Sequence, residues 1–156
     1  MKNIFLLVFL LLFPNLLNAK TENNSKKPID ISSEKVIIYR DKQEIVFLNK
    51  VVAKQAKFTL YADKMITKYN KNDIETIKTE KNVQFISDKT KAKGDIGFYD
   101  LAKNTITLQN HVFITENNLT LMAESFEYNV QTGKTKITGS KNENDKVTII
   151  LDDDKK

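Results

Sequence analysis

Four tyrosines recur along this chain of 156 residues at an almost constant interval, and the repeat limits the fold more than any other feature. The intervals are 30, 30 and 29 residues, between Tyr39, Tyr69, Tyr99 and Tyr128. A polar turn follows each tyrosine, and a new apolar segment then begins near Ile45, Ile74, Ile106 or Thr135. A period of this length is typical of a unit that cannot bury its own apolar face and therefore stacks on copies of itself.

Apolar residues alternate with their neighbours within each repeat, as at Ile45 and Phe47 or at Ile106 and Leu108. Alternation with a period of two predicts half-buried β-strands. No part of the chain after residue 28 shows a sustained helical period. The strands follow one another at intervals of about 8 to 12 residues, which is typical of an all-β sandwich, barrel or solenoid.

The first residues have the pattern of a secretory signal peptide. A basic start at Lys2 precedes an unbroken apolar run over 4–13, and Ala19 offers a small residue for cleavage. Because a spanning helix needs about 20 apolar residues, we predict export and cleavage after Ala19, with an uncleaved membrane anchor as the alternative. The predicted organisation is a signal peptide at 1–19, a flexible leader at 20–28, a β domain at 29–151 and a charged tail at 152–156.

Composition and motifs exclude several classes of function. The chain has no cysteine and a single histidine, which argues against structural zinc sites, iron–sulfur clusters, thiol nucleophiles and disulfide frameworks. No phosphate loop, H-E-x-x-H or G-x-S-x-G motif is present. We therefore predict no enzyme, no cofactor and no metal site. His111 follows an asparagine at a predicted corner, so we interpret it as a turn residue and not as a ligand.

The net charge of +5 raises the question of a nucleic-acid partner. Loss of residues 1–19 removes one lysine and no acid, so the mature chain carries 24 − 20 = +4. The lysines are interleaved with acids, and the only arginine is Arg40, whereas surfaces that bind nucleic acids are normally rich in arginine. We predict a solvated, mildly basic surface and no nucleic-acid partner.

Several phrases of the sequence resemble the OstA-like family of periplasmic lipopolysaccharide transport proteins, the LptA family. These phrases lie at 60–65, 74–85, 92–100, 106–112 and 126–134. The resemblance extends over about residues 29–139 and implies a half-open β-jellyroll of stacked, V-bent antiparallel strands with an internal repeat of about 30 residues. The sequence departs from the family at the corners, where Lys50, Lys81 and Gln109 stand in place of glycine.

The resemblance further implies that the interior of the V is a groove for the acyl chains of lipopolysaccharide. Strand parity then selects the lining residues, which are Val36, Ile38, Ile45, Phe47, Ile96, Phe98, Ile106, Leu108, Val112, Ile114, Phe126 and Ile137. The same parity turns Gly97 and Tyr99 away from the groove. A slip of one residue reverses every assignment in a strand, and plain core packing is the alternative role for each position.

The resemblance also implies partners and a location. Strand edges at 29–39 and at 134–139 or 147–151 would carry unpaired backbone groups, which are templates for strand addition. In the family, such edges join copies head to tail and connect them to an inner-membrane LptC-like domain and an outer-membrane LptD-like N-terminal domain. We predict a periplasmic, lipopolysaccharide-binding bridge that self-associates. The alternatives are an LptC-like membrane-anchored component and a β scaffold that binds no lipid.

Overall fold

The computed structural model describes residues 27–71, 73–139 and 146–151. The predicted signal peptide at 1–19 and the predicted charged tail at 152–156 lie outside the described residues. The same holds for the predicted leader at 20–28, apart from its last two residues, Lys27 and Pro28.

Ten β-strands form the described part of the chain, and no helix occurs in it. In chain order they are β1 (Asp30–Ser32), β2 (Lys35–Tyr39), β3 (Glu44–Gln55), β4 (Phe58–Asn70), β5 (Asp73–Ile86), β6 (Thr90–Asp100), β7 (Thr105–Glu116), β8 (Leu119–Asn129), β9 (Thr135–Thr138) and β10 (Thr148–Leu151). Every pairing between these strands is antiparallel. The predicted all-β class is confirmed.

These strands belong to one sheet, in the order β1-β3-β4-β5-β6-β7-β8-β10. At the first edge, β2 pairs with the first half of β3 and β1 with its second half. At the last edge, β9 and β10 divide β8 between them in the same way. Each terminal pair therefore takes the place of one long strand that is broken at its middle.

The long strands bend where the pairing register shifts, after Leu48 of β3, Glu80 of β5 and Gln109 of β7. Two residues with positive φ lie at each shift, and the three pairs are Asn49 and Lys50, Lys81 and Asn82, and Asn110 and His111. Bulges of this kind bend a strand and increase its twist. The third corner, at Asn110 and His111, lies at its predicted place, and Gln109 before it keeps its pairing with Ser125.

The corners divide the sheet into two walls that face each other. The first wall consists of β2, β9 and residues 44–48, 64–70, 73–80, 96–100, 105–109 and 125–129. The second wall consists of β1, β10 and residues 51–55, 58–62, 83–86, 90–94, 112–116 and 119–123. The buried core lies between the walls. This arrangement confirms the predicted half-open β-jellyroll of V-bent strands.

Candidate functional site

Two unbroken rows of directly paired residues cross the sheet from edge to edge on its inner side. The row on the first wall consists of Val36, Phe47, Met65, Thr79, Gly97, Leu108, Phe126 and Ile137. The row on the second wall consists of Ile31, Ala53, Leu60, Phe85, Ala92, Ile114, Leu121 and Ile149. Directly opposite residues project to the same face of a sheet, so both rows line the space between the walls, and Thr79 is their only polar side chain.

Ten of the twelve residues that were predicted to line the groove lie on this inner side. Five of them are fully buried, namely Ile106, Leu108, Val112, Ile114 and Phe126. Ile45, Phe47 and Ile137 are half-buried, whereas Val36 and Ile38 are exposed at the first edge. Their contact with a ligand stays a prediction.

The predicted inward orientation of Ile96 and Phe98 is wrong. Phe98 lies on the outer face, where 42% of it is exposed and its partners are Lys78 and Thr107. Gly97 and Tyr99, which were predicted to point away, are both buried on the inner side. The prediction placed Ile96 and Phe98 inside because they are large and apolar. The register of β6 with β5 and β7 instead places Gly97 and Tyr99 inside.

Close packing near the corners explains why Gly97 lies on the inner side. A Cβ atom at Gly97 would contact Oγ1 of Thr79, and it would lie 3.0 Å from Cγ1 of Val83 and 3.1 Å from Cδ2 of Leu108. Val83 belongs to the second wall, so the walls touch here without leaving a channel. Oγ1 of Thr79 is buried, and no described residue forms a hydrogen bond with it. The interior next to the corners is therefore filled by the protein itself.

Five aromatic residues fill the opposite side of the interior, where the walls end. They form the mouth cluster, which consists of Phe58 and Phe85 from the second wall and Tyr99, Phe126 and Tyr128 from the first. The ring centroids are 5.6 Å apart for Phe58 and Tyr99, 5.5 Å for Phe85 and Phe126, and 4.9 Å for Phe85 and Tyr128. These are favourable separations for aromatic pairs, and they join the two walls directly.

One buried hydrogen bond also joins the walls at the mouth. The hydroxyl of Tyr99 donates to Oε1 of Gln55 at 2.8 Å, and both residues are buried. Nε2 of Gln55 donates in turn to the carbonyl oxygen of Lys27 at 2.6 Å, so this amide also holds the segment before β1. Burial raises the pKa of Tyr99 to about 12, which keeps the hydroxyl protonated as a donor at neutral pH.

Apart from Phe126, the residues that close the mouth were absent from the predicted set. Phe58 and Phe85 belong to recognisable alternating pairs, with Leu60 and Val83 as the other members. That alternation was a usable signal for their burial. Gln55 had no such signal, because a glutamine within a charged segment resembles a surface residue.

Among the described residues, none covers the interior surface at either edge of the sheet, in contrast to its filled centre. Val36 and Ile38 of β2 are 49% and 55% exposed at the first edge. Ile149 of β10 is 58% exposed at the last edge, and it pairs with the buried Leu121. Exposed apolar side chains beside unpaired strand edges are typical of surfaces that another strand covers.

The outer side of the corners carries a repeated polar contact. Lys50 pairs with Glu34 at 2.6 Å, Asn82 donates to Asp63 at 2.6 Å, and Nδ1 of His111 lies 2.7 Å from Oδ2 of Asp95. The hydrogen bond to Asp95 raises the pKa of His111. The corner position of His111 agrees with its interpretation as a turn residue. Within the described ranges, no three His, Asp or Glu residues are grouped closely enough to hold a metal ion.

The geometry is that of a binding or scaffold module, and comparison with known proteins decides the family. The family model described as LptA/(LptD N-terminal domain) LPS transport protein matches residues 30–134. The chain belongs to this family. Its members transport lipopolysaccharide and are not enzymes, which confirms both the predicted family and the prediction of no enzymatic activity.

A solved structure supports the same fold. It is the crystal structure of LptH, described as the LptA homologous periplasmic component of the conserved lipopolysaccharide transport device from Pseudomonas aeruginosa. The match has a TM-score of 0.71 at 16% identity and covers 83% of this chain and 99% of the LptH chain. No curated protein matches the sequence. LptA-like proteins are periplasmic, and none of the described residues forms a helix able to cross a membrane.

Proposed function

We propose that this protein is a periplasmic bridge that binds lipopolysaccharide and carries it from the inner to the outer membrane. The two edge-to-edge apolar rows are the observation that carries this proposal. They supply a continuous apolar inner face, which is packed at its centre and exposed at its ends at Val36 and Ile149. Transfer of acyl chains onto such a surface contributes about 0.8 kcal/mol per CH₂ group, which offsets the cost of moving a lipid through water without any chemical step.

Head-to-tail association extends the rows from one copy to the next. Phe126 pairs with Ile137 at the last edge, as Val36 pairs with Phe47 at the first. If the ladder continues in phase, Ile137 lies opposite Val36 of a second copy. On the second wall, the same continuation places Ile149 opposite Ile31 of the second copy. A contact between two different edges is heterologous, and it produces filaments when the rotation between copies does not close into a ring.

The two edges also provide the places for partners at the membranes. An LptC-like domain of the inner membrane and an LptD-like N-terminal domain of the outer membrane would each add a strand to one edge of the assembly. A partner strand with an apolar inner face would continue the groove at its ends.

Site-specific photocrosslinking tests lipid binding. A photoreactive amino acid at Ile38 or Phe47 on the inner side is expected to form adducts with lipopolysaccharide. Phe98 is the matched control, because it is similarly apolar but lies on the outer face. Adducts at Phe98 and none at Ile38 or Phe47 would contradict a groove on the inner side.

Engineered cysteines test the association register, since the chain has no cysteine of its own. The combination Ile137→Cys and Val36→Cys is expected to give disulfide-linked ladders on oxidation. The combination Ile137→Cys and Ile37→Cys is the control, because Ile37 occupies the opposite face of β2. Equal cross-linking of both combinations would contradict the in-phase continuation.

The filled centre of the V favours one second candidate, a β scaffold that binds no lipid. Its core already contains Phe85, Phe126 and Tyr99 at 0 to 1% exposure. Absence of lipopolysaccharide adducts at every inner position, with filaments still present, would support the scaffold. The mass of the exported chain distinguishes the anchored alternative, since cleavage after Ala19 is expected for a free bridge and an intact N-terminus for an LptC-like component.

A further inference from the structure

The mouth cluster and the Gln55–Tyr99 hydrogen bond lie on the side of the V that opens. Tyr99 lies four residues beyond Asp95 at its corner, and Gln55 lies five residues beyond Lys50. At a rise of about 3.3 Å per residue, both side chains are therefore roughly 13 to 17 Å from the bend. They hold together the two walls at the distance from the corners where a small rotation separates them most.

The two ends of the interior differ in how they can make room for a ligand. Next to the corners, Gly97 and Val83 bring the walls into direct contact, and a single added carbon has no space. At the mouth, pairs of aromatic rings and the Gln55–Tyr99 hydrogen bond join the walls. An acyl chain can pack against an aromatic ring in place of the neighbouring ring. The first ring then stays out of water, so one apolar contact is exchanged for another.

The hydrogen bond is the contact at the mouth that an acyl chain cannot replace. Gln55 and Tyr99 are 4% and 1% exposed, and each is the partner of the other inside an apolar surrounding. A hydrocarbon between them would leave a buried amide oxygen and a buried hydroxyl unsatisfied, which is costly. The pair therefore favours the closed arrangement of the walls over an arrangement with lipid between them.

Resting on the proposed function, we infer that acyl chains enter the groove at the mouth, between Phe58 and Phe85 on one wall and Tyr99 and Tyr128 on the other. The Gln55–Tyr99 hydrogen bond is the latch of this entry site. The ligand class is a long unbranched acyl chain, because the rings present flat apolar faces and, among the described residues, Gln55 is the only buried amide side chain. Binding is then limited by the fraction of molecules whose latch is open.

The test uses Tyr99→Phe, which removes the hydroxyl and keeps the ring. The probe is cis-parinaric acid, a polyene fatty acid whose fluorescence rises in an apolar site. Loss of one net hydrogen bond is expected to increase the open fraction, and with it the apparent affinity, by about fivefold. Tyr61→Phe is the matched control, since Tyr61 lies exposed on the outer face, and its affinity is expected to equal that of the wild type.

Photolabelling of the wild-type protein gives a second measurement that needs no variant. A diazirine-bearing fatty acid is expected to label peptides that contain Phe85 or Phe126 to Tyr128. Labelling confined to the outer-face residues Phe113 and Met122 would overturn the entry site. Binding by the wild type with no gain in Tyr99→Phe would overturn the latch and leave the proposed function intact. Absence of binding by the wild type would overturn both.

Discussion

Gly97 is the residue at which the two walls touch near the corners, and its lack of a side chain is a packing requirement. We expect Gly97→Ala to lower the free energy of unfolding by about 1 to 3 kcal/mol, because the new methyl group overlaps Thr79 and crowds Val83 and Leu108. Denaturant unfolding measures the change.

Gly94→Ala is the matched control for this substitution. Its Cβ atom would lie 3.3 Å from the Gln109 carbonyl oxygen and 3.3 Å from Cβ of Leu108, so the crowding is milder. A loss of stability at Gly94 equal to that at Gly97 would contradict the account of wall contact.

His111 gives a direct readout of one corner, because it is the only histidine in the chain. Its pKa is raised by the hydrogen bond to Asp95, so Asp95→Asn is expected to lower that pKa towards about 6.5. A group with a raised pKa in the folded state stabilises the fold below its unfolded pKa, and the effect is lost as the pH rises through the folded value. NMR titration of the imidazole measures the pKa of His111 in the wild type and in Asp95→Asn.

Asp63→Asn is the control for the histidine titration, because Asp63 holds the equivalent place at the neighbouring corner, where it accepts a hydrogen bond from Asn82, whereas the partner of His111 is Asp95. An unchanged pKa in Asp95→Asn would show that the Asp95–His111 contact does not persist in solution.

At the scale of elements, the corners combine left-handed backbone with residues other than glycine. Lys81 has a φ of 63°. A left-handed conformation costs a residue with a Cβ atom about 1 kcal/mol relative to glycine. We therefore expect Lys81→Gly to raise the free energy of unfolding by about 0.5 to 1 kcal/mol in denaturant unfolding.

Lys78→Gly provides the comparison within the same strand. Lys78 lies in the regular part of β5 and pairs with Ile66 and Phe98, so glycine there removes strand propensity and relieves no strain. We expect this variant to be destabilised, and stabilisation of both variants would contradict the argument from the corner.

At the scale of the whole molecule, association depends on the inner face of the edges. Ile149→Lys places a charge that assembly would bury beside Ile31 of a second copy, and we expect the association constant to fall roughly tenfold or more. Sedimentation over a range of concentrations measures it. The fold is expected to be unchanged, because Ile149 is 58% exposed in the single chain.

Ile150→Lys is the control for this edge. Ile150 follows in the same strand and is 49% exposed, but it projects to the outer face with Thr120 as its partner. Association that responds equally to both substitutions, or a chain that stays monomeric at every concentration, would contradict the head-to-tail arrangement.

Much of the fold and part of the site could be predicted because the signals are local. The tyrosine interval and the period-two alternation are read along one segment at a time, and they placed residues such as Leu108 and Phe126 on the inner face. The signal failed at Ile96 and Phe98, where two phases of alternation were both plausible. Choosing between them requires the contact of Gly97 with Thr79 and Val83, which lie on another strand.

The sequence by itself determined the β class, the repeat, the corners and the family, since each depends on residue type and spacing along the chain. Only the tertiary structure decided the phase of β6, the filling of the groove and the contact between Gln55 and Tyr99, which are 44 residues apart. The physical reason is that the register between strands and the distance between walls follow from packing of residues remote in sequence. No pattern within a single repeat contains that information.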